Sequence, residues 1–276
     1  MCAVTAPVFL EKEQQLLDSL RQLDSVIVAL SGGADSAYLA WAAHAALGNR
    51  ALSVTALSPS FPAHDREQVE ALVRQAGLRH EFFETHEVEN PQYAANNADR
   101  CYFCKDELFT ALDRLARERE FSAVAYGLNA DDTRDFRPGH RAAAEHRVLA
   151  PLLAANLAKA EIRELSRRAG LATWDRPASA CLASRIPYGS EVTPEKLAQI
   201  ERGEAILREM GFRQFRVRHH GEIVRIEIAP EELERALRLE ITQALAQRFR
   251  EVGFLYVTLD LDGYRQGSLN AALKLL

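Results

Sequence analysis

Short, β-branched apolar runs alternate with longer amphipathic stretches through the first part of the chain. Val8 to Leu23 reads as an amphipathic helix. Ser25-Val26-Ile27-Val28-Ala29-Leu30 reads as a strand that is apolar on both faces and stopped by glycines. The alternation continues with helix Ser36–Leu47 ahead of Gly48, strand Ala51–Leu57, helix Asp65–Ala76 ahead of Gly77, and strand His80–Glu84. Helix Lys105–Arg119 and strand Ser122–Gly127 follow. Strands separated by helices of this length predict a doubly wound parallel α/β sheet, assigned to residues 1–175.

From Asp131 to His146 the pattern gives way to a polar stretch, which predicts a functional loop. Val148–Leu153 and helix Lys159–Ala169 close the domain, and Trp174–Ser190, rich in Pro, Ser, Ala and Gly, reads as a crossing segment. Thr193-Pro194-Glu195 supplies a cap, a proline at the first helical position and an acid in the first turn, so a helix runs from there to Met210. Phe212–His219 and Glu222–Ile228 alternate as a hairpin around His220-Gly221. Pro230 opens further helix, and Phe254–Asp260 is a last strand. Residues 176–276 therefore predict a smaller α+β domain, and the chain carries no internal repeat.

Composition narrows the class. With 47% hydrophobic and 26% charged residues among 276, the chain is that of a globular protein. No apolar run approaches the roughly 20 residues a membrane helix needs. The start, Met1-Cys2-Ala3-Val4-Thr5, lacks a basic, apolar leader, so a cytoplasmic protein is expected. A net charge of −5 argues against nucleic acid as the main partner. Four cysteines are too few for a disulfide scaffold and read as ligands, nucleophiles or small buried residues; Cys2, at the terminus, is left outside any site.

The chemistry concentrates in Ser31-Gly32-Gly33-Ala34-Asp35-Ser36, between a buried strand and a helix start. Unpaired amides and the helix dipole favour an anion there, and Gly32 and Gly33 let the main chain approach it. Ser31 and Ser36 add hydroxyls. Asp35 makes sense against polyphosphate when Mg²⁺ bridges the two. The lysine of the Walker-type loop is missing. Ser-Gly-Gly-x-Asp-Ser in this position resembles the PP-loop of the ATP pyrophosphatase superfamily, which implies cleavage of ATP between the α- and β-phosphates. A cradle for the departing pyrophosphate stabilises the charge that develops as that bond breaks.

Gly127-Leu128-Asn129-Ala130-Asp131-Asp132, Arg137-Pro138-Gly139 and the segment from Pro177 through Cys181 to Ser184-Arg185-Ile186-Pro187-Tyr188-Gly189 add a narrower resemblance. Together with the loop they resemble the LarE family, ATP-dependent sulfur transferases that build the ligand of the nickel-pincer cofactor. The resemblance implies adenylation of a carboxylate of pyridinium-3,5-biscarboxylic acid mononucleotide, then attack by sulfur to give a thiocarboxylate and AMP. It also implies ATP and Mg²⁺ as cofactors, a small nucleotide as substrate, and a homo-oligomer. By resemblance Cys181 handles the sulfur; in the sacrificial branch of the family that cysteine loses its sulfur and becomes dehydroalanine.

Arg100-Cys101-Tyr102-Phe103-Cys104-Lys105 puts two more thiols on one side of a turn. With Cys181 they make three thiolates, the set for an open-site 4Fe–4S cluster, fed by sulfide or another sulfur-donor system. Zinc with a histidine, a sulfur relay without a cluster, and plain burial stay open as readings of the same cysteines. For the substrate's phosphate and carboxylates the candidates are Ser184 and Arg185, Arg216 and Arg218 on one strand face, and Lys105. Gly127, Asn129 and Asp132 are assigned to the nucleotide or Mg²⁺ end, while Asp131 and Asp135 brace the loop. A tRNA-thiolating enzyme of the same superfamily and an ATP-binding protein without chemistry are the alternatives.

Overall fold

The computed structural model describes residues 8–134, 138–176 and 180–265; Cys2, Asp135, Arg137 and Pro177-Ala178-Ser179 lie outside the described residues. In chain order the first elements are α1 Val8–Arg21, β1 Val26–Ala29, α2 Ala34–Leu47, β2 Ala51–Leu57, α3 Ala63–Ala76 and β3 His80–Glu84. Then come α4 Pro91–Ala94, α5 Arg100–Glu118, β4 Ala123–Tyr126, α6 Gly139–Glu145, α7 Pro151–Ala154 and α8 Lys159–Arg168. The last are α9 Pro194–Glu209, β5 Phe215–His220, β6 Ile223–Ile228, α10 Leu233–Ala236, α11 Leu239–Val252 and β7 Tyr256–Leu259. They divide into two compact units, one of Met1–Glu87 with Cys101–Ser179 and the other of Val88–Arg100 with Ala180–Leu276.

In the first unit β1 pairs in parallel with both β2 and β4, and β2 with β3, giving the order β3-β2-β1-β4. The two faces of β1 enter different cores. Val26 and Val28 pack with α1, α2, α3 and α8, whereas Ile27 and Ala29 pack with Phe109 and Leu112 of α5 and with Ala142 and Ala143 of α6. That is why the strand reads as an unbroken apolar run, and the sheet is doubly wound as expected. After β3 the chain returns to the far side of β1. The carboxyl ends of β1 and β4 therefore flank the point where winding reverses, the position at which open α/β sheets bind ligands.

Two boundaries differ from the expected ones for identifiable reasons. α5 begins at Arg100 and not at Lys105, so Cys101 and Cys104 lie inside its first turn. The buried Arg100 donates to Asn96 Oδ1 and to the Ala183 carbonyl within the second unit described below. The polar stretch after Asp131 is also partly helical: α6 docks by polar contacts to α5. His146 bonds Asp113 at 2.7 Å and Asp106 at 3.1 Å, the Tyr102 hydroxyl donates to Glu145, and only two alanines of α6 are buried.

The second unit carries β5 antiparallel to β6 (Phe215 opposite Ile228, His220 opposite Ile223) and β7 parallel to β6. α9 starts where expected, its Thr193 side chain accepting from Lys196 N, and packs on β5 and α11. The excursion Val88–Arg100 belongs to this unit. Asn96 Nδ2 donates to the carbonyls of Pro187 and Ser190 at 2.8 and 2.9 Å, and Val192 N donates to Ala94 O at 2.8 Å. Among the described residues no helix is long and apolar enough to cross a membrane.

Gly203 on α9 has no room for a side chain, since a Cβ would stand 2.8 Å from Phe249 Cε1 and 3.1 Å from Val217 Cγ1. Gly203→Ala is therefore expected to cost about 1–3 kcal/mol through overpacking. A urea titration followed by a probe in this unit checks it; an unchanged midpoint would refute the close packing.

Candidate functional site

The loop after β1 is shaped by its glycines. Gly32 has φ +77°, and a Cβ there would lie 2.8 Å from Val69 Cγ2, so both backbone conformation and space require glycine. Ser31 and Ser36 close the loop on itself: Ser31 N donates to Ser36 Oγ at 3.1 Å, and the two hydroxyls are 3.0 Å apart. Gly127, at the end of β4, is required for another reason. A Cβ there would stand 2.8 Å from Ser36 N and 2.9 Å from Ser36 Cα, so β4 can approach the start of α2 only without a side chain.

Asp35 sits in the first turn of α2. Its Oδ2 accepts from Asn129 Nδ2 at 3.1 Å, whereas its buried Oδ1 has no hydrogen-bond partner among the described residues. The fully buried Asn129 is itself held by its Oδ1, which accepts from the backbone N–H of Asp131 at 2.9 Å and of Asp132 at 3.1 Å. Asp131 braces as expected, accepting from Lys159 N at the start of α8 at 2.8 Å. The loop after β1 and the loop after β4 thus meet through Asp35 and Asn129. A buried carboxylate oxygen without a donor suits a hard cation, so these residues fit Mg²⁺.

Burial pushes the Asp35 carboxyl pKa above its usual value, against Lys159 and the Asn129 hydrogen bond; Asp132 adds to the rise and Arg163 opposes it. Lys159 and Arg163, both on α8, are cations facing this carboxylate that the sequence reading passed over. Their signal was available: two basic residues four apart fall on one helix face. Arg176 was also missed; it donates to the Gly32 carbonyl at 2.9 Å and to Asp65.

On α5, Cys101 is exposed and Cys104 half-buried. Lys105 lies beneath Gly139, whose Cβ would be 2.9 Å from its Cγ, and its Nζ is 5.8 Å from the centre of the Phe109 ring. Three thiols are suitable donors for an iron–sulfur cluster. Among the described residues, however, no group of three or more His, Cys, Asp or Glu is gathered to hold a metal ion.

The second unit holds the half-buried Cys181 in a tight turn. Ser184 N donates to the Cys181 carbonyl at 3.0 Å, and Arg185 Nη1 donates to the same carbonyl at 3.0 Å and to Ser184 Oγ at 2.8 Å. Arg185 is 2% exposed and is held by Glu204 of α9, with Nε to Oε1 at 2.9 Å and Nη2 to Oε2 at 3.2 Å. Its guanidinium, expected to meet substrate, is engaged in fixing the Cys181 turn. Arg218 is buried likewise, bonding Ser184 O at 3.1 Å and Glu227 at 2.8 Å. Arg216 differs. It is half-buried, its Nη1 donates to the Phe215 carbonyl, it stacks 5.0 Å over Tyr264, and no carboxylate among the described residues pairs with it. Burial lowers its pKa, and so do the neighbouring charges of Arg185 and Arg218. Glu204 and Glu227 were missed, although a glutamate among Leu197, Ile200, Ile206 and Leu207 is a charge on an apolar helix face.

No family model matches the chain. A protein of Lactiplantibacillus plantarum named pyridinium-3,5-bisthiocarboxylic acid mononucleotide synthase is 31% identical to it over 263 residues, 95% of either chain. An uncharacterized protein of Synechocystis sp. is 44% identical over 261 residues, covering 93% of this chain and 97% of its own. An uncharacterized protein of Methanocaldococcus jannaschii is 29% identical over 170 residues, covering 62% and 66%.

The raised pKa of Asp35 fixes a sign. Protonated Asp35 favours the folded state, so its contribution is full below the ordinary carboxyl value of 3.8 and is lost as pH rises through the higher folded value. Asp35→Asn is therefore expected to raise the melting temperature at neutral pH, with the gain shrinking in acid. A gain that grows as pH falls would contradict the assignment.

Proposed function

Because this chain belongs to the LarE family of sulfurtransferases, we propose that it adenylates a carboxylate of pyridinium-3,5-biscarboxylic acid mononucleotide and converts it to a thiocarboxylate. The observation that carries this reading is the near full-length likeness to a synthase named for the bisthiocarboxylic product. The loop geometry supports the first half. A substrate carboxylate oxygen attacks the α-phosphorus of ATP, the α–β bond breaks, and pyrophosphate leaves into the backbone amides of Ser31–Ser36. Asp35 would hold Mg²⁺ through its Oδ1, which has no partner among the described residues, and the ion would supply positive charge against the departing pyrophosphate. Lys159 adds a positive charge on the same side.

The second half falls to the unit that carries Cys181. A sulfur nucleophile attacks the acyl carbon, and AMP leaves with the former carboxylate oxygen. Arg185, clamped by Glu204, fixes the backbone of the Cys181 turn, and Arg216, which forms no ion pair with a carboxylate among the described residues, is the cation for the substrate's phosphate. Cys101, Cys104 and Cys181 would hold the iron–sulfur cluster, which when bound supplies a sulfide that spares Cys181 itself. A tRNA-thiolating activity is the second reading, and the net charge of −5 disfavours it.

Two variants separate the halves. Asp35→Ala is expected to lower substrate-dependent pyrophosphate release by at least about 100-fold, the scale of losing a charge-stabilising group, while Cys181→Ala releases pyrophosphate and forms no thiocarboxylate. Thiocarboxylate from the Cys181→Ala variant would remove its role. The cluster is tested by iron and acid-labile sulfide after anaerobic reconstitution. About four irons per chain, lost in Cys101→Ala, Cys104→Ala and Cys181→Ala alike, are expected; iron retained in any of the three would exclude that ligand set.

A further inference from the structure

We propose that Arg176 is a positioning residue that sets the polarity of the phosphate loop, a step beyond the reading of Ser31–Ser36 as a pyrophosphate cradle and resting on it. Its guanidinium spans two acceptors: Nη1 donates to the Gly32 carbonyl at 2.9 Å, and Nη2 donates to Asp65, which is 8% exposed in the first turn of α3. Arg176 is itself fixed. Arg163 Nη2 donates to the Arg176 carbonyl at 2.7 Å, and Arg163 Nη1 to the Trp174 carbonyl at 2.6 Å. Two arginines in series therefore tie α8 and the stretch after it to one peptide of the loop.

That peptide is Gly32–Gly33. It is trans, so its carbonyl and its N–H point in opposite directions. With the Gly32 oxygen turned to Arg176, the Gly33 N–H faces the other way, and it has no acceptor among the described residues. A glycine–glycine peptide has almost no steric resistance to flipping. A flipped peptide would present its negative oxygen to the phosphates and withdraw a donor. The clamp therefore selects the orientation that an anion needs before the anion arrives. Asp65 balances the guanidinium charge, so the contribution is one of orientation, with little net field. A lysine ammonium is a point charge that lacks the planar fork spanning the two acceptors.

The test compares ligands that differ only in the pyrophosphate end. ATP, inorganic pyrophosphate and AMP are titrated calorimetrically into wild type, Arg176→Ala and Arg176→Lys. In Arg176→Ala, affinity for ATP and pyrophosphate is expected to fall about 10- to 100-fold, the scale of a lost charged hydrogen bond. AMP affinity stays within about twofold, well under the tenfold step of 1.4 kcal/mol, and Arg176→Lys falls between. Unchanged ATP and pyrophosphate affinity would overturn the proposal, and so would an equal loss for ATP and AMP, which marks general loosening of the unit. Should Arg176→Ala fail to fold, the ratio of ATP to AMP affinity in Arg176→Lys decides by the same criteria. Wild type that binds neither ATP nor pyrophosphate would remove the phosphate-loop reading itself, a different failure from that of Arg176.

Discussion

A carboxylate placed in the first turn of α2, with one oxygen tied to Asn129 and the other buried without a donor among the described residues, organises the meeting of the loops after β1 and β4. Burial disfavours its charge and a helix start favours it, and the folded protein tolerates the conflict because the surrounding cradle is assembled around it. Gly127 is a glycine so that β4 can come close enough to bring Asn129 to Asp35. Asp131 couples the same loop to α8, whose Lys159 and Arg163 face the carboxylate. Each of these residues is constrained by the need to hold one buried negative charge where the loops after β1 and β4 meet.

The second unit solves the opposite problem with the same economy. Three arginines, Arg185, Arg216 and Arg218, stand near one another, and two carboxylates, Glu204 and Glu227, bind two of them. Burying a guanidinium is tolerable when a fork meets a fork, and the Arg185–Glu204 pair has that geometry. The pairing leaves Arg216 without a carboxylate partner among the described residues, while Arg185 holds the turn that carries Cys181.

The sheet was legible from periodicity because its strands are buried on both faces, and β2 and β3 fall where the pattern places them. The tight loop after β1 was legible because two glycines between a buried strand and a helix start mark a turn, and Gly32 takes the positive φ that such a turn needs. What escaped notice was long-range. Nothing in Val88–Arg100 announces that it packs with the Cys181 segment, since its contacts run through the side chains of Asn96 and Arg100 and through backbone groups. α6 hid in a polar stretch because it docks by His146 and Glu145, with hardly any apolar stripe. The clamp on Arg185 was not legible because its partner, Glu204, is 19 residues away on another helix. Sequence names the chemistry of a side chain well, but the partner that occupies it emerges only when the chain folds.

The most direct measurement follows the substrate's own oxygen. The pyridinium biscarboxylic acid is prepared with heavy oxygen in its carboxylates and incubated with the enzyme, ATP, Mg²⁺ and a sulfide source, and the nucleotide product is weighed by mass spectrometry. Carboxylate adenylation followed by attack of sulfur at the acyl carbon predicts AMP carrying one heavy oxygen, formed in step with the thiocarboxylate. AMP without label, or ADP with labelled or unlabelled phosphate, would contradict it.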